Sequence, residues 1–501
     1  MSDIDLNNLK AEDFRFAERG EHIRDKKPET KPVGYFRDAW RRFKKNKASI
    51  VAVCIIALLL LFSLFAPVFS SYDMSFSDPV YRNKIPKNEV LAHIGIATGV
   101  YNKDLNTRAY DYYAGIGIGA TYDRETDTED NSAAVGSEYA AIRKIVSEET
   151  GAEMRTKVSM DAYLEVGFYY LSITEAEYAD ILAYEEETGE QVLYPMVDTY
   201  NAGVADPADA NYWFLTENGR AVKDADGNYQ DLYLRDENGQ VVYCVNRDVS
   251  GLTVRVLYHN YFVYKNGHTP QFLFGTNTIG QDIVVRLASG IRLSLLLAIG
   301  VSVINLVIGA IFGAIEGYYG GTTDLIMERF VDILAGLPFI VVATLFQMHL
   351  ANTAGILPSL LFAFVLIGWI GTSRRVRTQF YRFKNQEYVL AARTLGAGNF
   401  RLMFKHIFPN TLGTIITSSV LVIPSVIFSE SMLTYLGIVN LNGTTMTSIG
   451  AMLSDGQTVI SSFPHVIFFP AVVISLLMIS FNLFGNGLRD AFNPSLRGVD
   501  E

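Results

Sequence analysis

Six apolar stretches of 16 to 25 residues punctuate this chain, at 49–69, 293–313, 326–350, 356–371, 412–428 and 464–484. A bilayer core about 30 Å thick takes roughly 20 helical residues to cross. The expectation is therefore a polytopic, all-α membrane protein with six transmembrane helices. Mean hydropathy is nonetheless only +0.17, because a polar block at 72–270 separates the first stretch from the second. That block holds 33 acidic and 16 basic residues, a balance of −17, whereas the chain as a whole carries −11. The remainder is thus net basic. An acidic soluble block joined to a basic membrane part argues against nucleic acid as a partner.

Positive charge sets the expected topology. Residues 1–32 are polar and charged and read as a flexible cytoplasmic tail. Phe36, Trp40 and Phe43 then recur at i, i+4, i+7 among basic residues, the pattern of a helix lying at the membrane surface. Lys and Arg are retained in the cytoplasm, so the chain starts inside and six spans return the C-terminus there. Residues 373–406, between spans four and five, hold eight Lys and Arg and one acid, Glu387, which agrees. The first apolar run is too long for a signal-peptide core, so no cleavable signal is expected. Arg286 and Arg292 fall on the outer side of span two, and a short amphipathic helix at that interface is expected to hold them. Cys54 and Cys244 should lie in different compartments, which disfavours a disulfide.

The acidic block is then extracytoplasmic, and its composition is that of a folded unit. It carries 22 of the 28 tyrosines, and disordered segments are poor in aromatics. Thr174 and Glu177 form a capping box ahead of Tyr178, Ile181 and Leu182 on one helical face. Leu252, Val254, Val256 and Tyr258 alternate as a half-buried strand does. The pairs Asn218-Gly219, Asp226-Gly227 and Asn238-Gly239 suggest successive hairpins. A small inserted α+β domain is expected. Its role stays open between a docking surface for a solute-binding lipoprotein, a brace for neighbouring subunits, and a binding site for wall polymer or another partner.

The most informative stretch runs from Glu387 to Asn410, EYVLAARTLGAGNFRLMFKHIFPN. It reads as a short helix, a glycine-bearing turn and a second helix stopped by Pro409. Ala391 and Leu395 share one face with Ala392 beside them, and small side chains leave room for close docking. This stretch resembles the EAA loop of binding-protein-dependent ABC importer permeases. Ala391, Ala392, Gly396 and Pro409 fall on its matching positions. Leu390 takes the place of the family's glutamate, His406 that of isoleucine and Phe408 that of leucine. The form Glu-Tyr-x-x-Ala-Ala-Arg-x-Leu-Gly, ending His-Ile-x-Pro-Asn, is similar to the peptide and nickel branch. The segment WRRFKKNK, the apolar run and FAPVFSSYD resemble the amino-terminal region of the second permease subunit of oligopeptide/dipeptide systems. Residues 274–282, 452–456 and 487–494 resemble that subunit's approach to span two, its last outer loop and its tail. The large acidic block departs from the family, whose first two spans are joined by a much shorter segment.

The resemblance implies a type I ABC importer permease fold, in a multi-pass protein of the bacterial cell membrane with both termini cytoplasmic. Its parts would be a tail and basic amphipathic helix at 1–48, span one at 49–69, the inserted domain at 72–270, the permease core at 271–484 with the coupling loop at 373–410, and a tail at 485–501. It implies a coupling helix that docks on a cytoplasmic ATPase, carried by Glu387, Leu390, Ala391, Ala392, Leu395, Gly396, Gly398, Arg401 and Pro409. Implied partners are a homologous second permease, two ATPase subunits, an extracytoplasmic solute-binding lipoprotein, a peptide substrate and membrane lipid. The chain has no Gly-x-x-x-x-Gly-Lys-Ser/Thr loop, so no cofactor is expected in it, and ATP and Mg belong to partner subunits. Nickel, glutathione or another small solute is the alternative cargo. A receptor or scaffold acting through its outer domain is the rival class, and an ordinary basic loop held by anionic lipid is the rival reading of the motif.

Weaker signals remain. Asp332, early in span three, suggests a gating or pathway role, or a residue facing the bundle that caps local backbone. Glu430, after the apolar part of span five, has the same two readings, and an outer-interface position would make its charge cheap. Asp224-Ala225-Asp226-Gly227-Asn228 has residues unlike a calcium loop at its sixth and twelfth positions, Tyr229 and Arg235, and reads as a hairpin turn. Neither zinc-like spacing of histidines nor a nucleophile motif supports catalysis, so the chain is not expected to be an enzyme.

Overall fold

The computed structural model describes residues 35–106, 109, 112–113, 121–123, 128–130, 141–146, 153–198, 208–218, 220–227, 229–246, 251–443 and 446–492. The expected N-terminal tail, Gly219 and Asn228 of the hairpin turns, and the end of the C-terminal tail lie outside the described residues.

Helix α1 (Tyr35–Lys45) holds Arg42 to Asp38 at 2.5 Å. Its Ala39 and Phe43 are buried against Ala491 and Phe484 near the chain's other end, while Trp40 is exposed. One edge of the helix is thus spent on protein contact. Asn46 breaks the run and caps α2 (Lys47–Phe69), accepting from the backbone N–H groups of Ala48 and Ser49.

The segment between α2 and the next long helix is α+β. It contains helices α3 (Glu89–Ala92), α4 (Glu175–Thr188) and α5 (Tyr258–Asn266). One sheet has the order β1-β5-β4-β2-β3, from Val100–Leu105, Glu153–Asp161, Ala141–Val146, Thr121–Asp123 and Thr128–Asp130. A second joins β10 (Cys244–Asn246), β11 (Leu252–Leu257) and β6 (Phe168–Ile173), with β7 (Leu193–Tyr194) also on β11. Strands β8 (Thr216–Glu217) and β9 (Arg220–Ala221) form a hairpin, and Lys223 with Tyr229 and Arg235 with Val241 bridge the next two turns. Thr174 caps α4 by accepting from Glu177 N–H at 3.1 Å. The reciprocal half of the capping box is not made: the Glu177 carboxylate instead accepts from Tyr261 and pairs with Lys265 on α5. Strand β11 is covered on both faces rather than half-buried, because Arg255 and Leu257 are buried along with Val254 and Val256.

This unit is stapled to the start of the following helix. Ser70 Oγ donates to Asp282 at 2.9 Å, Asp78 N–H donates to Gly280 O at 3.1 Å, and Lys84 N–H donates to Thr276 Oγ1 at 2.8 Å, while Tyr258 Oη holds both Asp78 oxygens from within the unit at 2.8 and 2.9 Å. Gly280, at φ +79°, lies so close to the Asp78 backbone that no side chain fits there.

Helix α6 (Ile283–Tyr319) has 37 residues and is about 55 Å long at 1.5 Å per residue. It begins ahead of the expected span and includes Arg286 and Arg292, so no separate interfacial helix exists there. The helix runs on because the buried Arg286 guanidinium donates to Gly443 O at 3.1 Å and to Asn442 Oδ1. The expected third span is two helices, α7 (Gly321–Ala335) and α8 (Phe339–Ala354), bent by 73°. Gly336 ends the first, and Pro338 disfavours helical angles at Leu337. Helix α9 (Ile356–Gly368) continues past Trp369 into the basic α10 (Ile370–Phe383). The remaining bundle helices are α13 (Phe408–Val420), α14 (Val422–Tyr435), α15 (Ile449–Val459) and α16 (His465–Phe492). By length and composition five helical runs among the described residues can cross a membrane, or six if the bent pair counts as one span. Their shared core includes Leu287, Ile291, Leu360, Ile427 and Leu477.

Candidate functional site

At the end of α6 remote from the α+β unit, the chain forms a projecting turn. Helix α11 (Glu387–Thr394) leads through Gly396 to α12 (Asn399–Arg401), and a π-helical turn (Leu402–Ile407) joins α12 to α13. One side of this turn is sunk into the bundle. Val389, Leu402 and Ile407 have no exposed surface and pack with Ala314, Val376 and Phe380. Tyr318 Oη donates to Asn399 Oδ1 at 2.8 Å, and Asn410 Nδ2 donates to Tyr388 Oη at 3.2 Å.

The other side is bare. Leu395 is 88% exposed, Phe400 76% and Leu390 42%. Ala391, Glu387 and Arg401 are also exposed, and Ala392 is half-buried against the anchoring cluster. Ala391 and Leu395, expected on one face with Ala392 beside them, are thus exposed while Ala392 is half-buried, and Leu390 is exposed as well. Phe400 is exposed too, and its sequence signal was a large aromatic just after the glycine-bearing turn.

Two residues differ from expectation. Gly396 adopts φ +84° and ends α11, with its N–H donating to Arg393 O at 3.0 Å. Gly398, by contrast, has φ −71° and ψ 159°, ordinary extended angles, and serves as the N-cap of α12. Pro409 does not stop a helix. It sits in the first turn of α13, and the chain stays helical from Asn399 to Tyr435. The π-helical turn just before it widens the backbone spacing where proline lacks an N–H and crowds the preceding turn.

Beside the turn lies a charged ladder. Helix α7 presents Asp324, Glu328 and Asp332 toward α10. Arg377 grips Asp324 with two hydrogen bonds of 2.6 and 2.8 Å and lies 3.4 Å from Glu316 of α6. Arg374 reaches Glu328 at 3.1 Å and Asp332 at 3.2 Å, and Tyr381 Oη donates to Asp324 at 2.8 Å. Asp332 also pairs with Arg329 at 3.2 Å, so its side chain joins this ladder rather than capping local backbone. The i, i+4, i+8 spacing of the α7 acids was the available signal. Glu430 is elsewhere and, of its expected settings, takes the bundle rather than the outer interface. It is fully buried in the bundle, accepting from Ser294 Oγ at 2.9 Å and Ser431 Oγ at 3.4 Å, partners that make its burial tolerable.

Residues 284–498 match the family model of the binding-protein-dependent transport system inner membrane component, and residues 34–86 match that of the N-terminal TM domain of oligopeptide transport permease C. The oligopeptide transport system permease protein OppC of Bacillus subtilis (strain 168) is 43% identical over 226 residues, which cover 45% of this chain and 72% of that protein. The dipeptide transport system permease protein DppC of the same organism is 40% identical over 225 residues, 45% of this chain and 69% of that protein. Among solved structures, the MetNI methionine ABC transporter in an inward-facing conformation aligns at 14% identity and TM-score 0.33, covering 41% of this chain and 94% of that one.

Proposed function

We infer the function from the premise that this chain belongs to the family of oligopeptide and dipeptide transport system permeases: it is a transmembrane subunit of an ATP-driven peptide importer. The observation that carries the reading is the projecting turn, whose apolar face of Leu390, Ala391, Leu395 and Phe400 stays exposed while Val389, Leu402 and Ile407 lock its base. A free apolar face on a rigid mount suits a protein partner. That partner is a cytoplasmic ATPase subunit, with ATP and Mg held there. The excess of Lys and Arg at 373–406 supports a cytoplasmic side for this end. The α+β unit lies at the opposite end of α6 and so faces outward, where an extracytoplasmic binding protein delivers peptide.

In the assembled importer this chain pairs with a second permease and two ATPase subunits. Closure of the ATPases on ATP pushes the docked turn. Because the turn is welded to α6, α10 and α13, the push moves the bundle ends and opens the outer side. Peptide enters between the permeases and leaves inward after hydrolysis.

The test is mass spectrometry of what co-purifies with the tagged chain in mild detergent, beside Ala391→Arg and Gly396→Pro. The reading expects two ATPases and a second permease with the parent chain, and the ATPases lost from both variants. Recovery of the parent chain alone, or with outer-surface proteins only, would shift function to the α+β unit.

A further inference from the structure

The projecting turn, α10 and the end of α6 are packed as one body. Gly309, Gly313 and Gly317 of α6 lie against α10 so closely that a Cβ at Gly317 would meet Arg377 O at 2.7 Å and one at Gly309 would meet Trp369 O at 2.7 Å. Such backbone contact leaves little room for sliding. Lys384 Nζ donates to Gly317 O at 3.0 Å, adding a bond across the same seam.

Helix α7 is attached by other means. Its apolar contact with this body centres on Val331 against Trp369 and Ile370. The rest of the attachment is Phe330 near Phe312 of α6 at 6.4 Å between ring centroids, the chain connection through Gly320, and the ladder of Asp324, Glu328 and Asp332 against Arg374, Arg377 and Tyr381. Beyond the ladder, α7 reaches the Gly336-Leu337-Pro338 break and the 73° bend into α8. Helix α7 is therefore held to α10 of the turn-bearing body by directional charge contacts along its length and meets the bend at its C-terminal end.

From this arrangement the geometry points to Arg374 and Arg377 as positioning residues that carry movement of the docked turn to α7, and through it to the bend before α8. The inference rests on the docking reading given above. Bidentate Arg–carboxylate contacts fix orientation as well as distance, so a shift of α10 drags the α7 acids with it. Arg377 also lies 3.4 Å from Glu316, which has no exposed surface, and 3.9 Å from Glu328. Neutralising it leaves several carboxylates facing one another without that cation, which pushes α7 away from α10. Exposed ion pairs contribute little singly; this ladder acts through its number and its buried member.

The test uses the complete importer in nanodiscs, with nitroxide labels replacing Ile333 on α7 and Met348 on α8, both exposed, and Cys54 and Cys244 changed to serine. In the parent complex the label distance shifts between nucleotide-free and ATP–vanadate states. Arg377→Gln and Arg374→Gln, made separately, keep the ATPases bound but lose that shift, and peptide moved per ATP hydrolysed falls about tenfold or more. Arg377→Lys keeps the cation without the planar fork and falls between. If Arg377→Gln does not assemble, Arg374→Gln at a half-exposed position carries the test. Unchanged label shift and unchanged peptide per ATP in the glutamine variants would overturn the proposal. Absence of ATPases from the parent complex would overturn the docking reading instead, and this one with it.

Discussion

Two glycines two residues apart in the projecting turn separate backbone geometry from surface chemistry. Gly396 holds φ +84°, and Gly398 holds φ −71° with ψ 159°. A Cβ at either position meets no atom within 4 Å, so serine brings no clash within this chain. At Gly396 the cost is conformational: a left-handed backbone angle costs an L-residue roughly 1–2 kcal/mol. If docking requires the observed turn, affinity for the ATPase subunit falls roughly 5- to 30-fold. At Gly398 the angles suit any residue, and serine is a favoured N-cap, so affinity stays within about twofold. The assay is titration of the purified ATPase subunit against the nanodisc-embedded permease. Equal losses at both positions would refute the reasoning, because they would locate the effect in contact chemistry rather than in backbone angle.

Two further outcomes concern the α+β unit. Arg255 is fully buried, with Nε donating to Ala210 O at 2.7 Å, Nη1 to Pro195 O at 3.2 Å and the guanidinium 3.8 Å from the Phe168 ring centroid; burial pushes its pKa down to about 10. Arg255→Met orphans both carbonyls at about 1–3 kcal/mol each, and thermal unfolding followed by tryptophan emission should show an earlier transition for this unit. Burial also pushes the His259 imidazole below its ordinary 6.5. The unfolded chain then binds a proton that the folded chain refuses, so stability is complete above 6.5 and declines as pH falls through that value toward the folded pKa. His259→Gln should flatten the fall in unfolding temperature between about pH 7.5 and about pH 5, and an unflattened profile would assign the dependence to other groups.

The membrane-crossing helices were legible in the sequence because lipid imposes one requirement, a long apolar run, that needs no knowledge of neighbours. The exposure of the projecting turn was legible for a similar reason: Ala391 and Leu395 stand at i, i+4, and local helical spacing alone brings them to one face. Legibility failed where tertiary contact decides. The alternation at Leu252, Val254 and Val256 suggested a half-buried strand, yet Arg255 is buried too. Its partners are backbone carbonyls 45 and 60 residues away, and a backbone carbonyl has no signature in sequence. Arg286 likewise reads as a charge held at the outer interface by a separate short helix until Asn442 and Gly443 arrive beside it. Pro409 reads as a stop until the widened turn before it is seen.

The charged ladder shows how one set of residues serves two requirements. Counted along the chain, Arg374 and Arg377 are part of a basic segment and report only which side of the membrane they occupy. Counted in space, they face Asp324, Glu328 and Asp332, which belong to the third span and dilute no positive charge in the loop itself. The topological signal survives because acids contribute little to it, while the pairing supplies a directional link between α7 and α10. A substitution that keeps the charge but not the fork, such as Arg377→Lys, therefore separates the two roles: orientation in the membrane is retained, and the grip on α7 is weakened.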